Sequence, residues 1–330
     1  KPVWKSARAL RRILQDRHVR ILHCHNTYAD LVGLVAAKWC RIPCVTTLYV
    51  WGDFGFKRGV LQWIDARLLP YFDRITAHCE TTRQQTLRMG FSESEVTLLP
   101  CGFEGRAVQF PAEERSRRRA EFGVGPQETV LIYVARFWPE KAHEVVLEGM
   151  KEILRHRPAT TLWLLGVGPE EPRIRSMVRE MNLEEKIRFL GFRSDLEEML
   201  ALADIMVHPS HMEGVPLAVL SGMAAGLPVV ATRVGGLPEI VRHGETGVLI
   251  PPREPSVLAR EVIQLIDHPE ARRRFGQAAR RFVETEYSLQ EATNRVHTLY
   301  AELLAAQRNS RGALPAGLRS DAEAGAADSA

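Results

Sequence analysis

Short apolar runs and amphipathic helical segments alternate along most of the chain. The apolar runs have the length of β-strands and cover residues 19–24, 43–48, 74–77, 96–99, 130–135, 161–165, 187–190, 205–208, 229–232 and 247–250. Helical spacing of apolar positions predicts α-helices over residues 29–39, 60–69, 82–89, 215–225, 257–266 and 271–285. This alternation is typical of a mostly parallel sheet in an α/β fold.

The two series of strands and helices are separated by a charged stretch without apolar periodicity, residues 101–117, which we interpret as a linker. At 330 residues the chain is long for one typical domain and sufficient for two. One apolar stripe predicts a final helix and consists of Leu289, Ala292, Val296, Leu299 and Leu303. From about Ser310 the sequence is rich in Ala, Gly and Ser without periodicity, which predicts disorder.

Composition excludes several classes of protein. Apolar residues make up 45% and charged residues 25%, as in ordinary globular proteins. No apolar run reaches the length of about 18 residues that a membrane-spanning helix needs. Five cysteines without a C-x-x-C pair argue against a disulfide framework and predict reduced thiols in the cytoplasm. The net charge of +4 and the absence of a basic run interleaved with aromatic residues argue against nucleic acid as a partner.

The segment over residues 204–241 contains two strand–turn–helix junctions, each with a glycine and a carboxylate at the start of a helix. Glu213 precedes Gly214 in the first, and Gly236 precedes Glu239 in the second. Backbone N–H groups at such junctions lie beyond the carboxyl ends of parallel strands, where open α/β sheets bind anionic ligands. Two junctions in succession predict a nucleoside diphosphate carrying a sugar. In the alternative interpretation both glutamates only complement helix dipoles.

The same segment resembles the nucleotide-sugar motif of the retaining glycosyltransferases of family 4, the glycosyl transferases group 1. The motif's residues stand in this chain at Pro209, Ser210, Glu213, Gly214, Gly226, Pro228, Thr232, Gly235, Gly236, Pro238 and Glu239. The chain departs from the motif at Ser221, where the family has a second glutamate. The resemblance extends over roughly residues 19–306 and is strongest over 130–250.

The resemblance implies the GT-B fold, in which two Rossmann-like, doubly wound parallel-sheet domains face a cleft. Residues 1–108 then form the acceptor-side domain and residues 109–286 the donor-binding domain, while a helix over 287–306 returns to the first domain and 307–330 is a disordered tail. The family's first domain begins with a strand, a glycine-rich loop and a helix upstream of the segment that matches residues 19–25. We therefore expect a truncated first domain with apolar strand surface exposed.

Arg136 and Lys141 are the candidate phosphate-binding residues. A guanidinium that grips two oxygens beside an ammonium suits a departing diphosphate, and the family carries Gly-Arg-x-x-x-x-Lys at these positions. Here Ala135 replaces the glycine. In the alternative interpretation both are ordinary surface cations.

The first glycine junction supplies the other donor-binding candidates. By resemblance, Glu213 contacts the hydroxyls of the donor sugar near the reacting carbon. The backbone of Gly214, Val215 and Leu217 meets the phosphate and ribose. Ser221 stands where a glutamate ordinarily binds the ribose hydroxyls through charged hydrogen bonds, so we expect donor affinity about 10- to 100-fold weaker.

Two further loops are assigned to the nucleotide pocket by resemblance. Gly166 and Gly168 end a strand and shape the pocket; a Gly-x-Gly alone is a weak signal, and a plain turn explains it nearly as well. Phe192 and Arg193 resemble the loop that lines the base, and Ser194 in the same loop is alternatively only a helix N-cap.

Histidines mark the crevice side of the first domain. His23 and His25 lie two apart on one strand, so both side chains point to the same face. By resemblance His25 lies at the crevice as a catalytic residue; a packed or surface histidine is the alternative, and a zinc site lacks a second ligand pair of suitable spacing. The family commonly ends the next strand with a histidine near the transferred sugar, where this chain has Tyr49.

The N-terminal segment predicts a basic amphipathic helix. Its apolar face carries Val3, Ala7, Leu10 and Leu14, and its neighbours include Trp4, Lys5, Arg8 and Arg12. Such a helix packs on a sheet or lies on an anionic membrane. Peripheral contact with the inner face of the membrane is therefore a second hypothesis beside packing.

These observations predict a retaining glycosyltransferase that moves a sugar from a nucleotide diphosphate sugar to a hydroxyl on a glycan or lipid-linked acceptor. No two Asp residues lie two apart, so the chelating Asp-x-Asp of the other large transferase fold is absent, and neither a metal nor a cofactor is predicted. Two alternatives stay open: a non-catalytic nucleotide-sugar-binding relic, which Ser221, Tyr49 and the missing N-terminal unit favour, and a nucleotide-sugar epimerase of the same fold.

Overall fold

A computed structural model of the chain describes residues 2–49, 63–105 and 108–312. Residues 60–62 of the predicted helix over 60–69 lie outside the described residues, whereas 63–68 are helical and a short 3-10 turn follows at Leu69–Tyr71. The predicted disordered tail also lies outside the described residues from 313 onward.

The first sheet has four strands in sequential order, and all of them are parallel. Its strands are β1 (Leu22–Cys24), β2 (Cys44–Leu48), β3 (Arg74–Ala77) and β4 (Val96–Leu98). The helices of this half are α1 (Val3–Asp16), α2 (Thr27–Cys40) and α3 (Glu80–Arg88). β1 is shorter than the predicted run 19–24. It lies at the edge of the sheet, and only the last three residues of that run pair with β2.

The apolar face of α1 is buried within the protein. Ala7 and Leu14 are almost fully inaccessible, and α1 packs along α2. The face that the sequence offered for membrane contact is therefore used for helix packing. The exposed face of α1 carries Trp4, which stacks on Trp39 of α2 at 5.6 Å between ring centroids.

The second sheet has six parallel strands in the order β10-β9-β8-β5-β6-β7. The strands are β5 (Thr129–Val134), β6 (Thr160–Leu165), β7 (Ile187–Gly191), β8 (Ile205–His208), β9 (Val229–Thr232) and β10 (Gly247–Ile250). Alternate residues of β5 enter separate apolar cores, with Leu131 on one face of the sheet and Ile132 on the other. Burial on both faces explains why these strands read as continuous apolar runs.

Helices cover both faces of the second sheet and continue beyond it. They are α4 (Ala112–Glu121), α5 (His143–His156), α6 (Glu171–Glu180), α7 (Leu196–Leu202), α8 (Leu217–Ala224), α9 (Leu237–Ile240), α10 (Pro255–Asp267), α11 (Pro269–Glu286) and α12 (Leu289–Gly312). The order of strands reverses between β5 and β8, which are neighbours in the sheet. Ligands bind outside the carboxyl ends of strands at such a switch point.

The stretch interpreted as a linker, residues 101–117, contains the start of α4 at its C-terminal end. This helix has little apolar surface, and tertiary contacts stabilise it instead. Arg115 donates to the carbonyls of the α7–β8 turn and to Asp204, and the buried Arg119 pairs with the other oxygen of Asp204 at 2.5 Å. The stabilising partner lies about 85 residues away in sequence, and the helix itself has no periodic apolar positions from which it could be predicted.

The last helix lies against the first sheet. Leu299 and Leu303 of α12 pack in one cluster with Val45 of β2 and Leu99 after β4. Farther along, Gln307 donates to the carbonyl of Arg41 at 2.7 Å. The helix continues to Gly312, so residues 307–312 of the expected disordered tail are helical. Across the described residues, none of the helices has the length and apolarity to cross a bilayer.

Candidate functional site

A cavity of about 330 Å³ opens at the switch point of the second sheet, and we call it the donor cavity because residues that the sequence predicted to bind the donor line it. It brings together seven of the residues singled out in the sequence, which are Arg136, Lys141, Gly166, Phe192, Arg193, Glu213 and Leu217. The other residues of its lining are Val134, Ala135, Leu165, Leu196, His208, Pro216 and Ala218. The segments that follow β5, β6, β7 and β8 therefore meet at one edge of the sheet, as parallel strands require.

A buried ion pair lies at the floor of the donor cavity. Lys141 Nζ donates to Glu213 Oε1 at 2.6 Å, and the side chains are only 16% and 6% exposed. His208, at the last position of β8, reaches the same oxygen through Nε2 at 2.7 Å. Tyr133 fixes the backbone beside them by donating its hydroxyl to the carbonyl of Lys141. Glu213 is thus held in place by two donors that come from separate segments.

The charge of Glu213 is set by this arrangement. Burial alone raises the pKa of the carboxyl, but His208 and then Lys141 outweigh it through charge and hydrogen bonding and lower the pKa to about 2. The carboxylate is therefore ionised at neutral pH and only accepts hydrogen bonds. Because the Glu213 carboxylate can only accept a hydrogen bond, Nε2 of His208 carries a proton. His208 was not singled out in the sequence, where a lone histidine at a strand end carries no spacing signal.

The rim of the donor cavity carries cationic and aromatic side chains. Arg136 is exposed at the end of β5, with its guanidinium 5.6 Å from the Trp138 ring centroid. Phe192 is 79% exposed, which leaves its ring face free to stack on a flat ligand. Arg193 forms a two-contact ion pair with Asp195 at 2.7 and 2.5 Å, so its charge is already partnered.

Gly166 allows the β6 end of the cavity to close on the β5 end. Its φ is +136°, and a Cβ at this position would lie 2.0 Å from the Ala135 carbonyl oxygen. Only glycine fits this backbone approach without strain. A Cβ at Gly168 would similarly lie 2.4 Å from the Phe137 carbonyl oxygen, but Gly168 does not line the cavity. Gly168 packs closely against the backbone of Phe137.

Three further candidates lie outside the lining of the donor cavity. The carbonyl of Gly214 accepts from Gly236 N–H at 3.0 Å, which joins the two glycine junctions. Val215 packs on the core beside α8. Ser221 donates its hydroxyl to the carbonyl of Leu217 one turn earlier, at 3.0 Å. The structure thus places Ser221 on the helix that borders the cavity, with its hydroxyl engaged within that helix.

A second cavity, of about 360 Å³, lies at the carboxyl ends of the first sheet, and we call it the first-sheet cavity. His25 lines it, and not the donor cavity, together with His23, Thr47, Tyr49, His78, residues 99–102 and one face of α12. His25 Nδ1 lies 3.0 Å from the Tyr49 hydroxyl, and the rings of His23 and His25 stack at 4.4 Å. Tyr49 therefore contacts His25 from the position where a histidine was expected.

His23 belongs to an ordered chain of hydrogen bonds. Thr76 donates to a backbone carbonyl at 3.2 Å, so Thr47 donates to Thr76 at 2.7 Å and accepts from His23 Nε2 at 2.6 Å. The remaining nitrogen, Nδ1, accepts from the Tyr300 hydroxyl at 2.7 Å. Burial, and then His25 and His78, lower the pKa of His23 to about 4, in keeping with this neutral tautomer. His23 anchors α12 to the first sheet and is not a free ligand.

The two halves of the molecule meet through Glu239. Its carboxylate accepts from the backbone N–H groups of Glu80 at 2.9 Å and Thr81 at 3.2 Å, at the start of α3. Thr81 returns a hydrogen bond through its hydroxyl to the carbonyl of Gly235 at 2.9 Å. Glu239 does complement a helix dipole, but of a helix in the other half of the chain. A gap of about 90 Å³ beside this contact reaches Glu213.

Within residues 2–49, 63–105 and 108–312, no three His, Cys, Asp or Glu side chains come together as ligands for a metal ion. The zinc alternative for His23 and His25 has no additional ligands there. Both imidazoles instead have hydroxyl partners.

Comparisons with known proteins agree with this geometry. The family model described as "Glycosyl transferases group 1" matches residues 114–282, and the model described as "Glycosyltransferase Family 4" matches residues 1–104. The N-acetyl-alpha-D-glucosaminyl L-malate synthase of Bacillus anthracis is 27% identical over 307 residues, which are 91% of this chain and 79% of that protein. The glycogen synthase of Mycobacterium tuberculosis is 29% identical over 92% of this chain and 73% of its own length.

Among solved structures, the Anabaena protein HepE in complex with UDP and glucose superposes with a TM-score of 0.81 and 20% identity, covering 91% of this chain and 81% of that chain. At this identity the likeness shows the fold. The two facing parallel-sheet units are therefore the GT-B fold, as the sequence predicted.

Proposed function

The chain belongs to the glycosyl transferases group 1, and we propose that it transfers a sugar from a nucleotide diphosphate sugar to a hydroxyl acceptor with retention of configuration and without a metal ion. One observation carries this proposal. The cationic Arg136 and Lys141, the carboxylate of Glu213 and the exposed ring of Phe192 line a single cavity at the switch point of the second sheet. These are the groups needed for a diphosphate, a sugar and a base.

Each part of the donor has a matching group in the cavity. The exposed guanidinium of Arg136 suits two phosphate oxygens, and Lys141 supplies a second positive charge. Glu213 is ionised and fixed through Oε1, so Oε2 is the oxygen that we assign to the sugar hydroxyls. Phe192 offers its ring to the base. Gly166, which follows β6, allows the backbone there to approach Ala135 at the end of β5 closely.

In the proposed reaction the bond between the sugar's anomeric carbon and the phosphate oxygen breaks, and its electron pair stays on the diphosphate. Arg136 and Lys141 stabilise the charge that develops there. The acceptor oxygen forms its bond to the anomeric carbon from the same face, and its proton passes to the leaving phosphate oxygen. Chelator treatment leaves activity unchanged in this mechanism, whereas loss of activity with chelator and its return with manganese would contradict it.

The first-sheet cavity is the proposed acceptor site, with His25 at its crevice side. Glycans and lipid-linked sugars both present hydroxyls of the required kind. Lipid-linked acceptors would bring the chain to the inner, cytoplasmic face of a membrane. Because the apolar face of α1 packs on α2, this contact would use the opposite face, where Trp4 and the neighbouring Lys5, Arg8 and Arg12 are exposed and suit an anionic surface. Co-sedimentation with vesicles tests it: binding that does not respond to anionic lipid would contradict the membrane contact.

Calorimetry with UDP, GDP and ADP tests the donor site. We expect heat with at least one of these nucleotides, and an affinity about 10- to 100-fold weaker in Arg136→Gln, because a charged hydrogen bond to phosphate is lost. Arg260→Gln, a change at a side chain 64% exposed on α10, is the matched control. Absence of heat with every nucleotide would overturn the proposal.

Ser221 stands where the motif has a glutamate, and this difference favours a second candidate function, a protein that binds nucleotide sugars without catalysis. A nucleotide-sugar-binding relic would bind the nucleotide without turnover. A panel of UDP-, GDP- and ADP-sugars, assayed for transfer and hydrolysis, separates binding from catalysis. An epimerase would convert the donor sugar without releasing the nucleotide.

A further inference from the structure

His78 is fixed in one tautomer at the wall of the first-sheet cavity. It follows the end of β3, and its Nδ1 lies 2.8 Å from the carbonyl oxygen of Leu99. A carbonyl oxygen only accepts hydrogen bonds, so Nδ1 carries the proton. Burial lowers the pKa of His78 and outweighs the hydrogen bond to Leu99, which raises it. A neutral imidazole protonated on Nδ1 has its lone pair on Nε2, where it can accept from a hydroxyl.

The other aromatic groups of the cavity keep this ring in place. Tyr49 packs edge-on against His78 at 4.6 Å between centroids, and its hydroxyl is directed to His25. Both nitrogens of His23 are already occupied by Thr47 and Tyr300. His78 is thus held at both its Nδ1 and its ring face, while Nε2 takes no part in those contacts.

The described lining of this cavity contains no Lys, Arg, Asp or Glu side chain. Its three imidazoles are neutral at pH 7, because burial lowers the pKa of His23 to about 4 and lowers the pKa values of His25 and His78 as well. A ligand with a phosphate or carboxylate would lose hydration here without gaining a counter-charge. The donor cavity, which contains Arg136 and Lys141, is built in the opposite way.

We propose that the first-sheet cavity selects an acceptor that is uncharged around its reacting hydroxyl, and that His78 Nε2 accepts the hydrogen bond from that hydroxyl. The inference rests on the proposed function, since it names the substrate class and a further residue for the acceptor of the same transfer. Leu99, Leu289 and Val296 add apolar wall, which suits the less polar face of a sugar or polyol ring. The expected acceptor end is therefore a neutral polyhydroxylated ring.

A matched pair of probes tests the charge preference on the full chain. UDP is first added to saturation so that the donor cavity is filled, and histidine imidazoles are observed by nitrogen-15 NMR, with the His78 signals assigned by their absence in His78→Asn. We expect myo-inositol to perturb Nε2 of His78 and myo-inositol 1-phosphate to bind at least about 10-fold more weakly. No response to myo-inositol, or tighter binding of the phosphate, would overturn the proposal.

Two variants test the role of Nε2. In His78→Asn the amide N–H can replace Nδ1 toward Leu99, but no acceptor remains at the Nε2 position. In His78→Gln the longer amide places its oxygen near that position. We expect myo-inositol affinity, measured by calorimetry, to fall about 10-fold in the Asn variant and less in the Gln variant. Equal losses in both would contradict a hydrogen bond to Nε2.

UDP binding separates this inference from the proposed function. If UDP binds but the two inositol probes fail to differ, the acceptor inference alone is wrong. If none of UDP, GDP and ADP gives heat, the donor site fails first, as described above; if GDP or ADP binds instead of UDP, that nucleotide replaces UDP in the test. Both variants are expected to bind UDP with the wild-type affinity, because His78 does not line the donor cavity.

Discussion

The carboxylate of Glu239 accepts the backbone N–H of Glu80 across the interface between the two halves of the chain, at 2.9 Å. The neighbouring Thr81 N–H binds the other carboxylate oxygen. This contact caps α3 from outside and sets the position of the first-sheet cavity relative to the donor cavity. Glu239 is therefore a positioning residue that joins α3 to the second glycine junction.

Replacing Glu239 tests this relationship. In Glu239→Gln one oxygen becomes an NH₂ group that faces a backbone donor, so we expect a loss of about 1–2 kcal/mol at the interface. Small-angle scattering should show a larger radius of gyration, and turnover should fall more than UDP affinity. Glu245→Gln, at an exposed ion pair with Arg242, is the control and should change neither. An unchanged radius and unchanged turnover in Glu239→Gln would show that the contact does not hold the halves together.

Removing Glu213 should destabilise the protein as well as impair donor binding. Glu213→Ala leaves Lys141 and His208 buried without their shared acceptor, and breaking a buried pair in this way costs about 3–5 kcal/mol. Denaturant unfolding at pH 7 measures this loss. Lys141→Met should cost less, because His208 still donates to the carboxylate. Equal stability of Glu213→Ala and the wild type would contradict the arrangement at the cavity floor.

The stability contributed by Glu213 has a defined pH window. Its folded pKa of about 2 is below the ordinary value of 4.5, so the contribution is complete above pH 4.5 and is lost as the pH falls toward 2. The shift corresponds to about 3 kcal/mol. The difference in unfolding free energy between wild type and Glu213→Gln should therefore shrink below pH 4.5. A difference that stays constant down to pH 3 would count against an ionised Glu213.

The buried His143 also makes stability fall as the pH falls, over a second range of pH. Burial first, and then His208, Lys141 and Arg173, lower the pKa of His143 from 6.5 to about 3, and its Nδ1 is buried without a partner among the described residues. The unfolded chain binds the proton between these values, so stability falls as the pH falls through 6.5 toward 3, by about 1.4 kcal/mol per pH unit.

Comparing wild type with His143→Leu isolates this effect, because all other groups cancel in the difference. Leu has a similar volume and can replace the ring that stacks on Phe137 at 4.2 Å. We expect the unfolding free energy of the variant to depend less on pH between 6.5 and 4. Parallel pH profiles would mean that His143 is protonated at no cost in the fold.

Substitutions at Gly166 and Gly191 distinguish the effect of a steric clash from the effect of backbone strain. Both have positive φ, +136° and +64°, but a Cβ at Gly191 meets no atom within 4 Å, whereas one at Gly166 meets Ala135 O at 2.0 Å. Gly191→Ala should cost about 1 kcal/mol of stability and keep UDP binding. Gly166→Ala should displace the loop of the donor cavity and reduce UDP affinity about 10-fold or more. Equal UDP affinities would remove Gly166 from the donor site.

Restoring the glutamate of the family motif at Ser221 should improve donor binding. Ser221 lies on α8, one turn beyond Leu217 of the cavity lining. Ser221→Glu should increase affinity for UDP about 10-fold, since charged hydrogen bonds to the ribose are gained. Ser221→Gln has the same length without the charge and should gain less. No gain in either variant would mean that the ribose lies elsewhere.

The pattern of apolar residues predicted secondary structure best for strands that are buried on both faces of a sheet, because such burial requires a continuous apolar run. The strands β3, β8, β9 and β10 have the bounds that their apolar runs predicted. The start of α4 was missed because Arg115 and Arg119 stabilise it through Asp204, which is distant in sequence. The donor-cavity residues near glycine junctions were recognisable, whereas His208 and His78 were not. A single histidine at a strand end has no neighbours in sequence that mark its role.

The sequence by itself determined the α/β class, the two-part organisation and the glycosyltransferase family, because apolar periodicity and an ordered glycine–carboxylate motif are properties of neighbouring residues. Only the tertiary structure decided which of these residues share a cavity. It placed His25 in the first-sheet cavity, paired Lys141 and His208 with one oxygen of Glu213, and brought Glu239 to the start of α3. These relationships depend on how strands are ordered in a sheet and how two sheets face each other, and linear spacing contains neither.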